Sequence, residues 1–168
     1  MAYQEHARDA RQIAARCAII TLSDTRTPDT DKSGKKIREL LEGDGHVVTH
    51  YRIIRDEPAQ LHELLTEVLA VRDLDAVLTN GGTGISRRDT TIEVVETHLD
   101  QTLPGFGELF RMLSFQQIGS GAMLSRAVGG VARGKLLFAM PGSTAAVELA
   151  MTQLILPELK HLVHELRK

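Results

Sequence analysis

Residues 74–84 read LDAVLTNGGTG, from Leu74 to Gly84, and this stretch decides the fold. Leu74 leads into a short apolar strand that starts at Ala76 and runs to about Thr79. Asn80, Gly81, Gly82, Thr83 and Gly84 then form a sharp turn. Adjacent glycines let a backbone leave a strand with its amide groups exposed. Thr90 and Glu93 follow with capping-box spacing, which predicts a helix to about His98.

The same alternation extends in both directions. Towards the N-terminus, CAIITL at residues 17–22 reads as a buried strand, followed by a polar loop over 23–31 with Pro28 as a breaker. Ile37, Leu40 and Leu41 mark a helix face, closed by Gly43 and Gly45. Residues 47–54 read as a second strand. Pro58 then stands where a first-turn proline belongs. Leu61, Leu64, Leu65, Val68 and Leu69 form a helical stripe. Towards the C-terminus, Pro104 and Gly105 break the chain before a helix over 108–117. Residues 120–133 show no clear element. KLLFAM at 135–140 is a further strand, and the turn at Pro141, Gly142 and Ser143 opens a long helix to the C-terminus. Pro157 is expected to kink or split that helix. Strands alternating with helices, several apolar enough for burial on both faces, give an α/β sandwich with a mostly parallel sheet. Ligands in such folds sit beyond the carboxyl ends of the strands. That directs attention to residues 23–31, 55–57, 80–89 and 141–144.

Composition narrows the function. The chain has 168 residues and a formal net charge of −2, with 4% aromatics and no Trp. A pI near 6.4 argues against a protein built to neutralise nucleic-acid phosphates, and the few aromatics argue against a base-stacking platform. One cysteine, Cys17, excludes an intramolecular disulfide framework and fits a reducing compartment. It opens an apolar strand and reads as a buried, inert thiol. No segment has the apolar run of a membrane span or a secretory signal, so the expected location is the cytoplasm. Residues 1–16 read as a tail or short helix, and residues 17–168 as a single domain.

The chemistry concentrates in TNGGTGISRRD, residues 79–89. A nest of amides beside the Thr83 hydroxyl suits phosphate or carboxylate oxygens, and a tight strand–helix connection without a ligand would use the same glycines. The stretch is neither a Walker A loop nor a dinucleotide fingerprint, because no Gly-Lys-Ser/Thr follows and Arg87 replaces the third glycine. Arg87 and Arg88 are within sequence reach of a phosphate, or are simply solvated. Asp89 and Asp56 each stand just before a helix, where a carboxylate is a good cap. Together they follow strands beside a phosphate-shaped loop, and magnesium in phosphoryl-transfer sites is commonly held by one or two carboxylates plus substrate phosphates. Ser143 is an N-cap candidate and lacks the flanks of a nucleophile elbow. His161 and His164 share a helix face without metal-ligand company and read as solvated.

AIITLSD, TNGGTG with Arg88 and Asp89, PGFGELFRMLSF, LSRAVGGV and FAMPGSTAA occur in one order along the chain. This ordered set resembles the molybdenum cofactor biosynthesis proteins of the MoaB/MogA type, with FRMLSF and FAMPGST nearer the MoaB branch. The resemblance implies a three-layer α/β/α molybdopterin-binding fold. It implies Mg²⁺-dependent adenylyl transfer from ATP to the terminal phosphate of molybdopterin, releasing pyrophosphate. Residue by residue, it assigns the catalytic and metal-holding acids to Asp56 and Asp89. Asp56 lacks the proline that precedes the family's acid. Molybdopterin or nucleotide binding falls to Ser23, Asp24, Gly81, Gly82, Thr83, Gly84, Ser125, Arg126, Pro141, Gly142 and Ser143. Asn80 stands where the family usually has Thr. The resemblance also implies a homo-oligomer, a trimer or hexamer. Phe106, Leu109, Phe110, Met112, Leu113 and Phe115 agree with that, because they cover more than one helix face. A different class remains alongside: a molybdopterin-binding or scaffolding protein without turnover.

Overall fold

Strand pairing organises the chain in the computed structural model, which describes residues 12–168. The strands are β1 (Arg16–Leu22), β2 (Val47–Ile54), β3 (Ala76–Asn80), β4 (Gln101–Thr102), β5 (Val128–Ala132) and β6 (Lys135–Met140). They form one six-stranded sheet in the order β2-β1-β3-β6-β5-β4. β2, β1, β3 and β6 run parallel, and β5 and β4 close one edge antiparallel. The expected N-terminal tail or short helix lies, up to residue 11, outside the described residues.

The helices are α1 (Lys32–Gly43), α2 (Pro58–Leu69), α3 (Thr91–His98), α4 (Pro104–Ile118), α5 (Thr144–Ala150) and α6 (Leu156–Leu166). A 3₁₀ segment, Gly119–Leu124, follows α4, and a π turn, Met151–Ile155, joins α5 to α6. Side-chain alternation along the strands sorts these helices into layers. Cys17 and Ile19 of β1, Leu78 of β3 and Phe138 of β6 pack with Ile37, Phe110, Val147 and Leu159 on one face. Ala18, Ile20, Val77 and Leu137 pack with Leu61, Leu65, Ile92 and Val95 on the other. The fold is the expected three-layer α/β/α sandwich. Fully burying each such leucine or isoleucine is worth roughly 1.5–3 kcal/mol, so both faces hold their helices firmly. Cys17 is buried, and desolvation, then the Asp75 charge, pushes its thiol to about 12, which leaves it inert.

The structure departs from the sequence reading at several points. Residues 120–133, unassigned from sequence, contain the 3₁₀ segment and β5, and a hairpin leads on to β6. The capping box does not form: Thr90 is the N-cap of α3 but makes no side-chain cap bond, and Glu93 turns to Arg126 instead. Pro157 splits the C-terminal helix, as its position led one to expect, into α5 and α6. The π turn widens the backbone just before it, where a proline lacks the N–H that an α-turn needs. α4 starts earlier than expected, at Pro104, and is apolar on two sides. Phe106 and Phe110 are buried, while Leu109, Met112, Phe115 and Ile118 are exposed. No helix among the described residues is long and apolar enough to cross a membrane.

Candidate functional site

The parallel strands β1, β2, β3 and β6 all deliver their carboxyl ends to one side of the sheet. The four loops singled out from sequence meet there. Gly81 N–H donates to the Met140 carbonyl (3.1 Å), which ties the glycine loop to the end of β6. A Cβ at Gly142 would lie 3.1 Å from the Gly81 Cα, so the two turns touch backbone to backbone. Arg26, from the loop after β1, donates through Nη2 to the Gly142 carbonyl (3.0 Å) and through Nη1 to the Ser33 hydroxyl.

A cleft of about 470 Å³ opens at this junction. Its wall is made by loop 81–84, Asp89, Ser125 and turn 141–143, with Arg26 and Leu124 at the sides. Gly81 and Gly82 have φ of +98° and +66°, conformations that favour glycine. A Cβ at Gly82 would also sit 2.6 Å from Asp56 Oδ1 and would meet the Thr91 hydroxyl. The sequence motif therefore reflects both a left-handed turn and a crowded approach.

Asp56 comes from the loop after β2 and stands against Gly82. It does not cap α2: the N-cap is Glu57, and no side-chain cap bond is made there. Asp56 Oδ1 is buried without a hydrogen-bond partner, and so is Thr91 Oγ1 beside it. Burial first, then the nearby Asp89 and Asp24 carboxylates, raises the Asp56 carboxyl above its ordinary 3.8, although Arg88 pulls the other way. Asp89 is held below 3.8, chiefly by the Ser86 hydroxyl, whose Oγ donates to Oδ2 at 2.6 Å, and by the Ser86 amide at 2.9 Å. An orphaned carboxylate oxygen, an orphaned hydroxyl and a second ionised carboxylate form a hard-oxygen donor set. That chemistry fits a magnesium ion completed by phosphate oxygens. Among the described residues no group of three or more His, Cys, Asp or Glu side chains is placed to hold a metal by itself.

Other residues frame the site. Asp24 accepts from the Asp56 amide (3.1 Å) and pairs with Arg88 (2.9 Å), so Arg88 is committed to a carboxylate while Arg87 is exposed. Ser23 Oγ accepts from the amides of Thr25 and Arg26, which shapes its own loop. Ser143 caps α5 by accepting from the Ala146 amide (3.1 Å). Arg126 donates to carbonyls of the glycine loop and pairs with Glu93.

Sequence reasoning missed Thr91, Glu93 and a buried network behind the loop. Asn80, at the end of β3, accepts from Ser33 Oγ (2.8 Å) and donates to Thr21 Oγ1 (2.9 Å). Asp31 caps α1 through the Gly34 amide (3.0 Å) and accepts from the Tyr51 hydroxyl. Burial works to raise Asp31, but bonds from Thr21, Tyr51 and Gly34 and the Arg26 charge outweigh it. These contacts join residues up to 59 positions apart, as Asn80 and Thr21 show, and no local pattern announces them.

An α/β/α sandwich with a glycine-lined cleft and two acids at its strand ends is an α/β domain built to receive an anionic ligand. Residues 18–161 match the family described as a probable molybdopterin binding domain. The molybdenum cofactor biosynthesis protein B of Halalkalibacterium halodurans is 55% identical over 169 residues, covering 100% of this chain and 99% of that protein. A crystal structure of a molybdenum cofactor biosynthesis protein B superposes with a TM-score of 0.90 at 53% identity, over 92% of this chain and 97% of that one. The tungsten cofactor synthesizing protein MoaB from Pyrococcus furiosus superposes at 0.83 with 34% identity, over 92% and 98%. The chain belongs to the molybdenum cofactor biosynthesis proteins of the MoaB/MogA type, and its function lies in that biosynthesis.

Proposed function

We propose that the protein is a Mg²⁺-ATP-dependent molybdopterin adenylyltransferase. A terminal phosphate oxygen of molybdopterin attacks the α-phosphorus of ATP. The bond from that phosphorus to the oxygen bridging the β-phosphate breaks, and pyrophosphate leaves. The observation that carries this reading is Asp56, a half-buried carboxylate whose Oδ1 is buried, unpartnered and set against Gly82 of an anion-type loop, with Asp89 close by.

The chain's own residues suit the reaction. Loop 81–84 and turn 141–143 give a backbone surface on which phosphate oxygens lie without side-chain bulk. Asp56 and Asp89, with the Thr91 hydroxyl, would hold the cation. When bound, Mg²⁺ neutralises phosphate charge and lets one anion approach another. Arg26 and Asn80 fix the loops that carry the cleft, so the two substrates meet in a preset arrangement. No general base is required, since the attacking phosphate is already an anion near neutral pH.

We further infer that the protein works as a homo-oligomer, a trimer or hexamer, through the exposed apolar side of α4. The transferase reading is tested by mixing purified protein with ATP, Mg²⁺ and molybdopterin and measuring pyrophosphate. Release that needs all three supports it. Molybdopterin binding without any pyrophosphate assigns the protein to the binding or scaffolding class instead.

A further inference from the structure

Arg126 sits in the loop between the 3₁₀ segment and β5, against the outer side of the glycine loop. Its Nε donates to the carbonyls of Thr83 (3.0 Å) and Gly84 (3.1 Å). Its Nη2 donates to the carbonyls of Gly84 (2.7 Å) and Asp89 (3.1 Å). Nη1 pairs with the Glu93 carboxylate, which Nη2 also reaches at 3.4 Å. A guanidinium has five N–H donors in a rigid fork. Here that fork is spent on three carbonyls of one loop and on an acid from α3. An arginine that binds a substrate phosphate keeps its donors for the phosphate.

The carbonyls matter because a trans peptide points its C=O and its N–H in opposite directions. Holding the Thr83 carbonyl on the Arg126 side turns the Gly84 N–H away from Arg126. Gly84 stands directly against the Asp89 carboxylate, where a Cβ would lie 2.6 Å from Oδ2. Holding the Gly84 and Asp89 carbonyls does the same for the next peptides. Arg126 thus sets the peptide planes of the loop and the placement of one of the two acids. Glu93 keeps the fork in register across 33 residues of sequence.

We propose that Arg126, anchored by Glu93, is a positioning residue that orients the glycine-loop peptides and Asp89, and does not itself bind the anionic substrate. The proposal rests on the transferase reading only for what the loop holds, and the clamp is measurable without turnover. Lysine cannot replace it, because a single ammonium does not span three carbonyls and a carboxylate.

The test combines hydrogen exchange of the free protein with calorimetric titration of Mg²⁺-ATP, on wild type, Arg126→Gln, Arg126→Lys and Glu93→Gln. Arg126→Gln should speed exchange within residues 83–90 and weaken Mg²⁺-ATP binding by at least about tenfold, the factor carried by one lost charge-assisted hydrogen bond. Arg126→Lys should not restore either quantity. Glu93→Gln should give the same pattern with a smaller effect, and it carries the test if Arg126→Gln does not fold. Weakened ATP binding with unchanged loop exchange would overturn the proposal, because Arg126 would then act on the ligand. Unchanged exchange and unchanged binding would overturn it too. Wild-type protein that neither binds ATP nor releases pyrophosphate, yet loses loop protection in Arg126→Gln, sinks the transferase reading and leaves the clamp standing.

Discussion

Asp56 carries a burden that the fold itself does not need. Its folded carboxyl titrates above the ordinary 3.8, through burial and then the Asp89 and Asp24 charges. Between those two pH values the folded chain keeps a proton that the unfolded chain releases. Stability therefore falls as pH rises through that window. Asp56→Asn removes the repulsion, so the ligand-free variant should melt at the same temperature as wild type or higher. Turnover should fall by roughly 10²–10³, the usual loss when an active-site electrostatic group is removed. A variant that melts lower and turns over normally would mark Asp56 as structural. Gly82→Val should abolish ATP binding, because its side chain would occupy the space between Asp56 and Thr91 and would force φ of +66° on a β-branched residue. Titration calorimetry checks this, and wild-type affinity would reduce the loop to a connector. At this scale the acids and glycines were legible because their types and post-strand positions are local facts. Thr91 and Glu93 were not, because their roles depend on Asp56, Gly82 and Arg126, which approach only in three dimensions.

Among the elements, β2 and β6 match their expected bounds, since β6 is an apolar run, β2 is rich in β-branched residues, and both have clear breakers. β5 was illegible for a physical reason. Its centre is Gly129 and Gly130, poor strand formers. A Cβ at Gly129 would lie 2.6 Å from the Phe138 ring, and one at Gly130 would strike the Gln101 carbonyl. The strand exists because its neighbours require bare backbone, which no propensity records. The turn between α1 and β2 makes a pH prediction. The Ala15 amide donates to His46 Nδ1 (3.0 Å), so that nitrogen carries no proton, and Nε2 faces Asp44 (3.1 Å). Burial dominates and lowers the His46 pKa below 6.5, although Asp44 opposes it, and burial lowers His98 likewise. A depressed folded pKa means the unfolded chain binds more protons below about 6.5. Thermal stability should therefore drop as pH falls from neutral through that value, and His46→Gln should flatten the slope. Melting curves at several pH values decide it, and a wild-type slope that His46→Gln leaves unchanged would place the effect elsewhere.

Among the described residues of the molecule, α4 and the segment after it present a conspicuous apolar surface. Phe115 is 60% exposed, Ile118 62% and Met123 79%, on α4 and the 3₁₀ segment that follows. Contiguous apolar side chains of this size mark association surfaces in soluble proteins. Phe115→Glu should shift the assembly towards monomer in light scattering. A wild-type protein that stays monomeric at micromolar concentration would contradict the oligomer. The two-sided character of α4 was legible in its sequence, whereas its outward face required the packing of Phe106 and Phe110 against the sheet. The central claim concerns the carboxylate pair beside the glycine loop, and Asp89→Asn tests it most directly. Asn keeps one acceptor oxygen for the Ser86 amide and hydroxyl, and Asp89 is not the cap of α3, so the fold should tolerate the change at small cost. The measurement is the rate of adenylyl-molybdopterin formation at saturating Mg²⁺-ATP, with melting temperature and molybdopterin affinity taken on the same samples. The account predicts a rate lower by roughly 10²–10³, with stability and molybdopterin binding little changed. Turnover near wild type in Asp89→Asn, with stability unchanged, would contradict it.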